Sequence, residues 1–299
     1  MLIGIIANIT KENVSDVVAS FIQELKKQKM KYLLTNTLLE EKDKLKIEID
    51  EDFISDDENV YKKSDLIISI GGDGTMLSTA YRAQFHDKPV LGLNVGKLGF
   101  LAEANISQTS RIISDIKAGN YEIQSRMIIE GECDTYSNEK LYAINDLVID
   151  KGGWAKMIEL TAWVDGEYVS TFLADGVIIA TPIGSTGYSL SAGGPVVSPS
   201  AGAITICPIS AHSLTMRPLV LSSAQEIVIK ADSPHTDLQI SCDGQRVYHF
   251  PPPIEVKMKK SERPLKLVHT SLTTYFETLR NKLLWGIDVR KNNSNENIT

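Results

Sequence analysis

At about Tyr121 the grammar of this 299-residue chain changes, and that change limits what it can fold into. Before it, short β-branched runs alternate with segments of helical periodicity, the order of βαβ units in a parallel sheet. LIGIIAN (Leu2 to Asn8), DLIISI (Asp65 to Ile70) and KPVLGLN (Lys88 to Asn94) read as buried strands. Val14, Val17, Val18, Phe21, Ile22 and Leu25 fall at helical spacing. Lys26, Lys27 and Lys29 follow where cations suit the macrodipole, so an amphipathic helix is predicted from Val14 to Lys29. A further helix is predicted from about Met76 to Gln84. The six acidic residues between Asp50 and Glu58 read as an exposed loop.

After Tyr121, strand-like segments follow one another between turn signals: LYAINDLVID, MIELTAWVDGEYVSTFLADGVIIATP, AITICPI, EIVIKA and LQISCDGQRVY. Val164-Asp165-Gly166-Glu167 carries the Asp-Gly dipeptide of a hairpin turn. This half is predicted to be mostly β, a sandwich or paired sheets. YFETLRNKLL (Tyr275 to Leu284) returns to helical spacing and is expected to dock back on the first domain. The closing KNNSNENIT has almost nothing to bury and reads as disordered. The expected domains are 1–122, with 269–299 packing back on it, and 123–268.

Charge and composition exclude several classes of function. Lys and Arg number 31 against 38 Asp and Glu, a net charge of −7, and no basic run occurs, so nucleic acid is not an expected partner. The apolar runs fall far short of the roughly 20 residues that span a bilayer. The N-terminus has neither a basic lead nor a small-residue cleavage site, so a cytoplasmic protein without a membrane span is expected. Cys133, Cys207 and Cys242 are widely spaced with no CxxC pair, and the five histidines are scattered. Neither a disulfide framework nor a zinc site is indicated.

Three segments carry chemistry. Gly71-Gly72-Asp73-Gly74-Thr75 follows a strand and opens a helix, where backbone N–H groups can approach phosphate oxygens and the helix N-terminus favours negative charge. It is neither a Walker A loop nor GxGxxG. Asp73 suits Mg²⁺ binding or proton abstraction from a hydroxyl, and its bland alternative is a helix cap. Asp175-Gly176 leads into VIIATPIGSTGYSLSAGGP, whose glycines and hydroxyls suit a nucleotide, with Tyr188 available to stack on a base; a linker is the alternative. Asn145-Asp146, inside a strand-like run, pairs an amide with a carboxylate suited to ribose hydroxyls, or marks a bulge or turn.

Together with Asn94-Val95-Gly96-Lys97-Leu98-Gly99-Phe100 and SCDGQ (Ser241 to Gln245), these segments resemble the NAD kinase family over nearly the whole chain. The resemblance implies a Rossmann-like parallel α/β domain, a β-sandwich-like second domain, and a C-terminal helix returning to the first. It implies phosphoryl transfer from ATP, or another donor, to the 2′-hydroxyl of NAD's adenosine ribose, with Mg²⁺ carried mainly on the donor phosphates and no fixed metal site. Asp73 would be the general base and Gly74 part of the phosphate contact. Asn145 and Asp146 would hold ribose or amide groups. Thr186, Gly187, Tyr188, Ser189, Leu190 and Ser191 would wrap the dinucleotide, with Tyr188 against a ring. Asp175 would fix a polar end and Gln245 close the site, while Lys156 and Leu173 hold positions that contact nucleotide in some relatives. The resemblance also implies a homo-oligomer, dimer or tetramer. Two positions depart from the family pattern: Asp146 stands where Glu is usual, and PIGSTGY replaces PTGSTAY at Ile183 and Gly187. A lipid kinase with the same loop and a non-catalytic NAD sensor are the competing readings.

Overall fold

Parallel strands need crossover connections, and the first part of the chain supplies helices between its strands. The computed structural model describes residues 1–9, 14–40, 53–95, 99–101, 104–105, 108–135, 140–234, 237–270 and 272–286, with backbone alone at 39–40 and 104–105. Its elements begin β1 (Leu2–Ala7), α1 (Val14–Lys27), β2 (Lys31–Thr35), α2 (Asn36–Glu40), β3 (Ile54–Ser55), α3 (Asp57–Lys63) and β4 (Leu66–Gly71). They continue with α4 (Asp73–Ala83), β5 (Val90–Asn94), β6 (Ala104–Asn105), α5 (Thr109–Ala118) and β7 (Glu122–Arg126).

The chain divides into two compact units, one of Met1–Thr79, Lys88–Ile123 and Val268–Thr299, the other of Ala80–Asp87 and Gln124–Leu267. In the first, β1 pairs in parallel with β2 and β4, and β4 with β5. β4 is buried at every residue, as a strand covered on both faces must be. All six apolar residues expected on α1 are buried against this sheet, and the helix stops where Lys29 turns to φ 57°.

Two expectations need correction here. The acidic run is not simply a loop: Asp57 and Glu58 open α3, and the Asp56 carboxylate caps it by accepting the Asn59 N–H at 2.8 Å. Carboxylates read as solvated charge are also what a helix N-terminus favours. The other is α4, which starts at Asp73 rather than near Met76, with the Met76 N–H bonded to the Gly72 carbonyl at 3.0 Å. The KNNSNENIT tail lies outside the described residues.

The second unit is antiparallel. Its strands are β8 (Ile129–Cys133), β9 (Leu141–Ala143), β10 (Asp146–Asp150), β11 (Ile158–Val164), β12 (Glu167–Ala174) and β13 (Gly176–Ala180). After the single helical turn α6 (Tyr188–Ser191) come β14 (Ala203–Ile209), β15 (Leu219–Ser222), β16 (Ile227–Asp232), β17 (Leu238–Cys242), β18 (Arg246–Phe250) and β19 (Ile254–Lys260). The chain then returns to the first unit, which holds the end of β20 (Leu265–His269) and α7 (Tyr275–Leu283).

Two six-stranded sheets form, ordered β15-β14-β13-β10-β17-β18 and β12-β11-β16-β19-β8-β9. Alternate residues of both, among them Leu147, Ile179 and Ile240 from one and Leu160, Ile229 and Val256 from the other, share one core, the arrangement of a sandwich. The hairpin at Asp165-Gly166 has φ of 51° and 80°, the two positive values a type I′ turn requires. LYAINDLVID is not one strand but two, broken at Ile144-Asn145. All three cysteines are buried and free. Among the described residues no helix is long and apolar enough to cross a membrane.

Phe21 is fully buried on α1, whereas the Lys27 side chain is 76% exposed. Phe21→Ala is expected to cost about 3–5 kcal/mol of stability in urea unfolding, and Lys27→Ala less than about 0.5 kcal/mol.

Candidate functional site

In the first unit the functional geometry begins where β4 gives way to α4. The first turn of a helix offers N–H groups without intrahelical partners and the positive end of the dipole, both suited to an anion. Gly74 lies exposed in that turn. Asp73 is its first residue, and its side chain is 37% exposed. Its carboxylate is held from across the sheet: the Phe100 N–H donates to Oδ2 at 3.2 Å and the Leu101 N–H to Oδ1 at 3.4 Å. Lys282 of α7 reaches Oδ2 at 3.4 Å. A Cβ on Gly99 would fall 1.8 Å from Asp73 Oδ1, so only glycine lets the chain pass this carboxylate. Asp73 is therefore a solvent-accessible acceptor held by three long contacts.

In the second unit a buried anion shapes the break between β9 and β10. The Asp243 side chain has no exposed surface. Its Oδ1 accepts the N–H groups of Ile144 at 2.8 Å, Asn145 at 2.7 Å and Asp146 at 3.4 Å, and its Oδ2 pairs with Arg246 at 2.7 Å. Three successive N–H groups converging on one oxygen make a nest, here filled by the protein's own carboxylate. Arg246 also donates to the Tyr142 carbonyl at 2.9 Å and lies 3.7 Å over the Tyr81 ring. Asp243 itself sits at φ 57° before Gly244 at 63°, the turn joining β17 and β18.

This bend presents Asn145 and Asp146. Burial first, then the charge of Asp243, pushes the Asp146 carboxyl up to about 7. Burial likewise raises Asp243, opposed by the N–H groups of Asn145 and Asp146 and by Arg246. Asn145 Oδ1 is buried with no hydrogen-bond partner among the described residues. Thr181 ties the bend to the glycine-rich segment: its hydroxyl donates to the Ile144 carbonyl at 2.6 Å and accepts the Gly184 N–H at 3.1 Å. Gly184 packs so tightly that a Cβ would lie 2.0 Å from the Asn145 carbonyl oxygen.

The structure gathers part of the expected set around this bend. A Cβ on Gly187 would lie 3.3 Å from the Gly184 carbonyl oxygen, a tight approach, and 3.8 Å from both Asn145 Nδ2 and Asp146 Oδ2, ordinary contact. The glycine in place of the family's alanine thus leaves room beside the pair. Tyr188 is 49% exposed, and burial together with the charges of Asp150, Asp146 and Asp175 raises its phenol. Asp175 is ion-paired to Lys151 at 2.6 Å. Thr186 bonds back to the Ile183 carbonyl, Ser191 ends α6, and Leu190 donates its N–H to Gly187. Ser189 is fully buried, with its hydroxyl toward Gly194.

Gln245 is exposed two residues beyond Asp243, in the turn that fixes the bend. Lys156 is exposed before β11, and Leu173 of β12 lines a cavity of about 330 Å³ with His212 and Met216. The sequence reading quoted Gly99, Asp243 and Thr181 only within motif segments and gave no role to them, to Arg246 or to Lys282. SCDGQR carried the signal for Asp243 and Arg246, an Asp-Gly turn with an arginine three residues on.

The glycine-rich strand-to-helix turn belongs to a parallel α/β unit, and the chain's other unit is an antiparallel β-sandwich. Residues 3–121 match the ATP-NAD kinase N-terminal domain family and 144–270 the ATP-NAD kinase C-terminal domain family. The NAD kinase of Chlorobium phaeovibrioides is 36% identical over 287 residues, 96% of this chain and 99% of that one. The NAD kinase of Thermoanaerobacter pseudethanolicus is 36% identical over 283 residues, 94% and 98% of the two chains. Among solved structures, yeast NADH kinase complexed with NADH superposes with a TM-score of 0.87 at 25% identity, covering 96% of this chain and 89% of that one. An NAD kinase from Archaeoglobus fulgidus in complex with ATP gives 0.73 at 25% identity, covering 95% and 97%. The chain belongs to the NAD kinase family.

Two outcomes follow from this geometry. Gly99→Ala must displace the Asp73 carboxylate, so turnover is expected to fall on the order of a hundredfold, while NAD affinity by calorimetry changes far less. The Asp146 carboxyl holds its proton more tightly in the folded chain than in the unfolded one, about 7 against 3.8. Its contribution is therefore favourable below about pH 4 and is lost as pH rises through 7. In urea unfolding from pH 4 to 8, Asp146→Asn should gain on the wild type across that window and then level off. A constant difference would mean that Asp146 stays ionised throughout.

Proposed function

We propose that this enzyme transfers the terminal phosphoryl group of ATP to the 2′-hydroxyl of the adenosine ribose of NAD, forming NADP. The observation that carries the reading is the Asn145-Asp146 bend with Gly187 and Tyr188 near it: an amide, a carboxylate and an aromatic ring in one neighbourhood, the groups that ribose hydroxyls and a base require. Asp146 accepts from the dinucleotide's hydroxyl or amide donors, Asn145 both donates and accepts, and Tyr188 stacks on a ring. Thr186 to Ser191 supply the surrounding backbone, Asp175 with Lys151 the polar end, and Gln245 the closing edge. Lys156 and Leu173 are outlying contacts.

Asp73 is the base in this reading. Its carboxylate takes the 2′-hydroxyl proton as that oxygen forms a bond to the γ-phosphorus, the bond from that phosphorus to the bridging oxygen breaks, and ADP leaves with the electron pair. The transition state asks chiefly for positioning and charge neutralisation, so one carboxylate and a helix N-terminus are apt parts. Among the described residues no three His, Cys, Asp or Glu side chains converge as a metal site. One accessible carboxylate fits Mg²⁺ held mostly through donor phosphates, with Asp73 the available protein ligand. Bound there, Mg²⁺ would neutralise phosphate charge. The same reading makes the enzyme a cytoplasmic homo-oligomer, dimer or tetramer.

The test is purified protein with ATP, Mg²⁺ and NAD, scored for NADP, beside a reaction offering diacylglycerol. NADP alone is expected; phosphorylated lipid would support the competing kinase. General-base catalysis contributes about 10²–10⁴-fold, so Asp73→Asn should lose that much turnover with NAD affinity nearly kept. Near-normal turnover in that variant would remove Asp73 from the mechanism.

A further inference from the structure

α7 delivers a cation to the proposed base. The helix is fixed at its start by a reciprocal capping box, Thr274 with Glu277, and along its length by the buried Thr278 and Leu279. Its last turn therefore has a set position, and Lys282 lies in it. The Lys282 ammonium stands 3.4 Å from Asp73 Oδ2 and 4.8 Å over the ring of Phe100, the residue whose N–H donates to that same oxygen. The two partners lie 209 residues apart in sequence.

We propose that Lys282 is a positioning residue for phosphoryl transfer: its ammonium group holds Oδ2 of Asp73 and so fixes the orientation of the carboxylate that takes the hydroxyl's proton. This rests on the reading of Asp73 as the base. The two backbone donors alone, at 3.2 and 3.4 Å, hold the carboxylate loosely. Lys282 adds a second contact on Oδ2 and leaves Oδ1 with a single long one. Side chains 28% and 37% exposed make an ion pair that contributes little to folding, so the contact matters for orientation rather than stability. Small misplacements of a reacting group cost rate steeply.

The experiment compares full-length wild type, Lys282→Met, Lys282→Arg, Asp73→Asn and the Asp73→Asn/Lys282→Met double variant. Each is measured for kcat, for KM toward NAD and ATP, and for melting temperature. Lys282→Met should lower kcat by about ten- to a hundredfold, with both KM values and the melting temperature nearly unchanged. Lys282→Arg should recover most of the rate. In the Asp73→Asn background Lys282→Met should cost nothing further, because a group acting through the Asp73 carboxylate has lost its object.

Normal kcat in Lys282→Met overturns the proposal. So does an equal loss in both backgrounds, which would put Lys282 on the donor phosphates, and so does a rate loss that arginine fails to rescue and that tracks melting. Near-normal turnover in Asp73→Asn alone would instead overturn the reading of the base, and this inference with it.

Discussion

A carboxylate with no exposed surface is the constraint on which the β unit's site depends. Moving an ionised carboxylate out of water is expensive unless donors replace its hydration. Asp243 receives four, three successive N–H groups on one oxygen and a guanidinium on the other. That demand dictates the backbone. Ile144, Asn145 and Asp146 must turn their N–H groups inward together, which breaks the strand and presents Asn145 and Asp146 as a pair. Burial raises the neighbouring Asp146 carboxyl, and the charge of Asp243 raises it further.

Close packing of glycines couples this bend to the loop opposite. A side chain at Gly184 would strike the Asn145 carbonyl, as one at Gly99 would strike the Asp73 carboxylate in the other unit. Bare backbone thus closes on the Asn145 carbonyl in one unit and on the Asp73 carboxylate in the other, close approaches that glycine permits. Burial, and after it the carboxylates of Asp150, Asp146 and Asp175, raise the Tyr188 phenol, and Lys151 pairs with Asp175. That neighbourhood is rich in acceptors for hydroxyl and amine donors.

Local order was the readable part of the sequence. α1 followed from its apolar spacing, the Asp165-Gly166 turn from its dipeptide, and the change from parallel to antiparallel construction from the shift in pattern near Tyr121. Long-range electrostatics was not readable. Asp243 lies 97 to 99 residues from the N–H groups it binds, so no spacing rule reaches it. The break at Ile144-Asn145 was legible only as one of two readings of the Asn145-Asp146 pair, since apolar residues flank a bend imposed from elsewhere. The acidic stretch near Asp56 misled because solvated loops and helix N-termini favour the same residues.

If the bend is the nucleotide site and Asp243 is what holds it, NAD affinity must respond to a residue that faces no solvent. The direct measurement is calorimetric titration of NAD into wild type and Asp243→Asn at pH 8, with near-UV circular dichroism confirming native packing in both. The variant keeps the shape but leaves Arg246 without its anion and weakens the nest, so at least about tenfold loss of affinity is predicted, the lower end for charge-assisted hydrogen bonds. Equal affinity in two natively packed proteins would contradict the account.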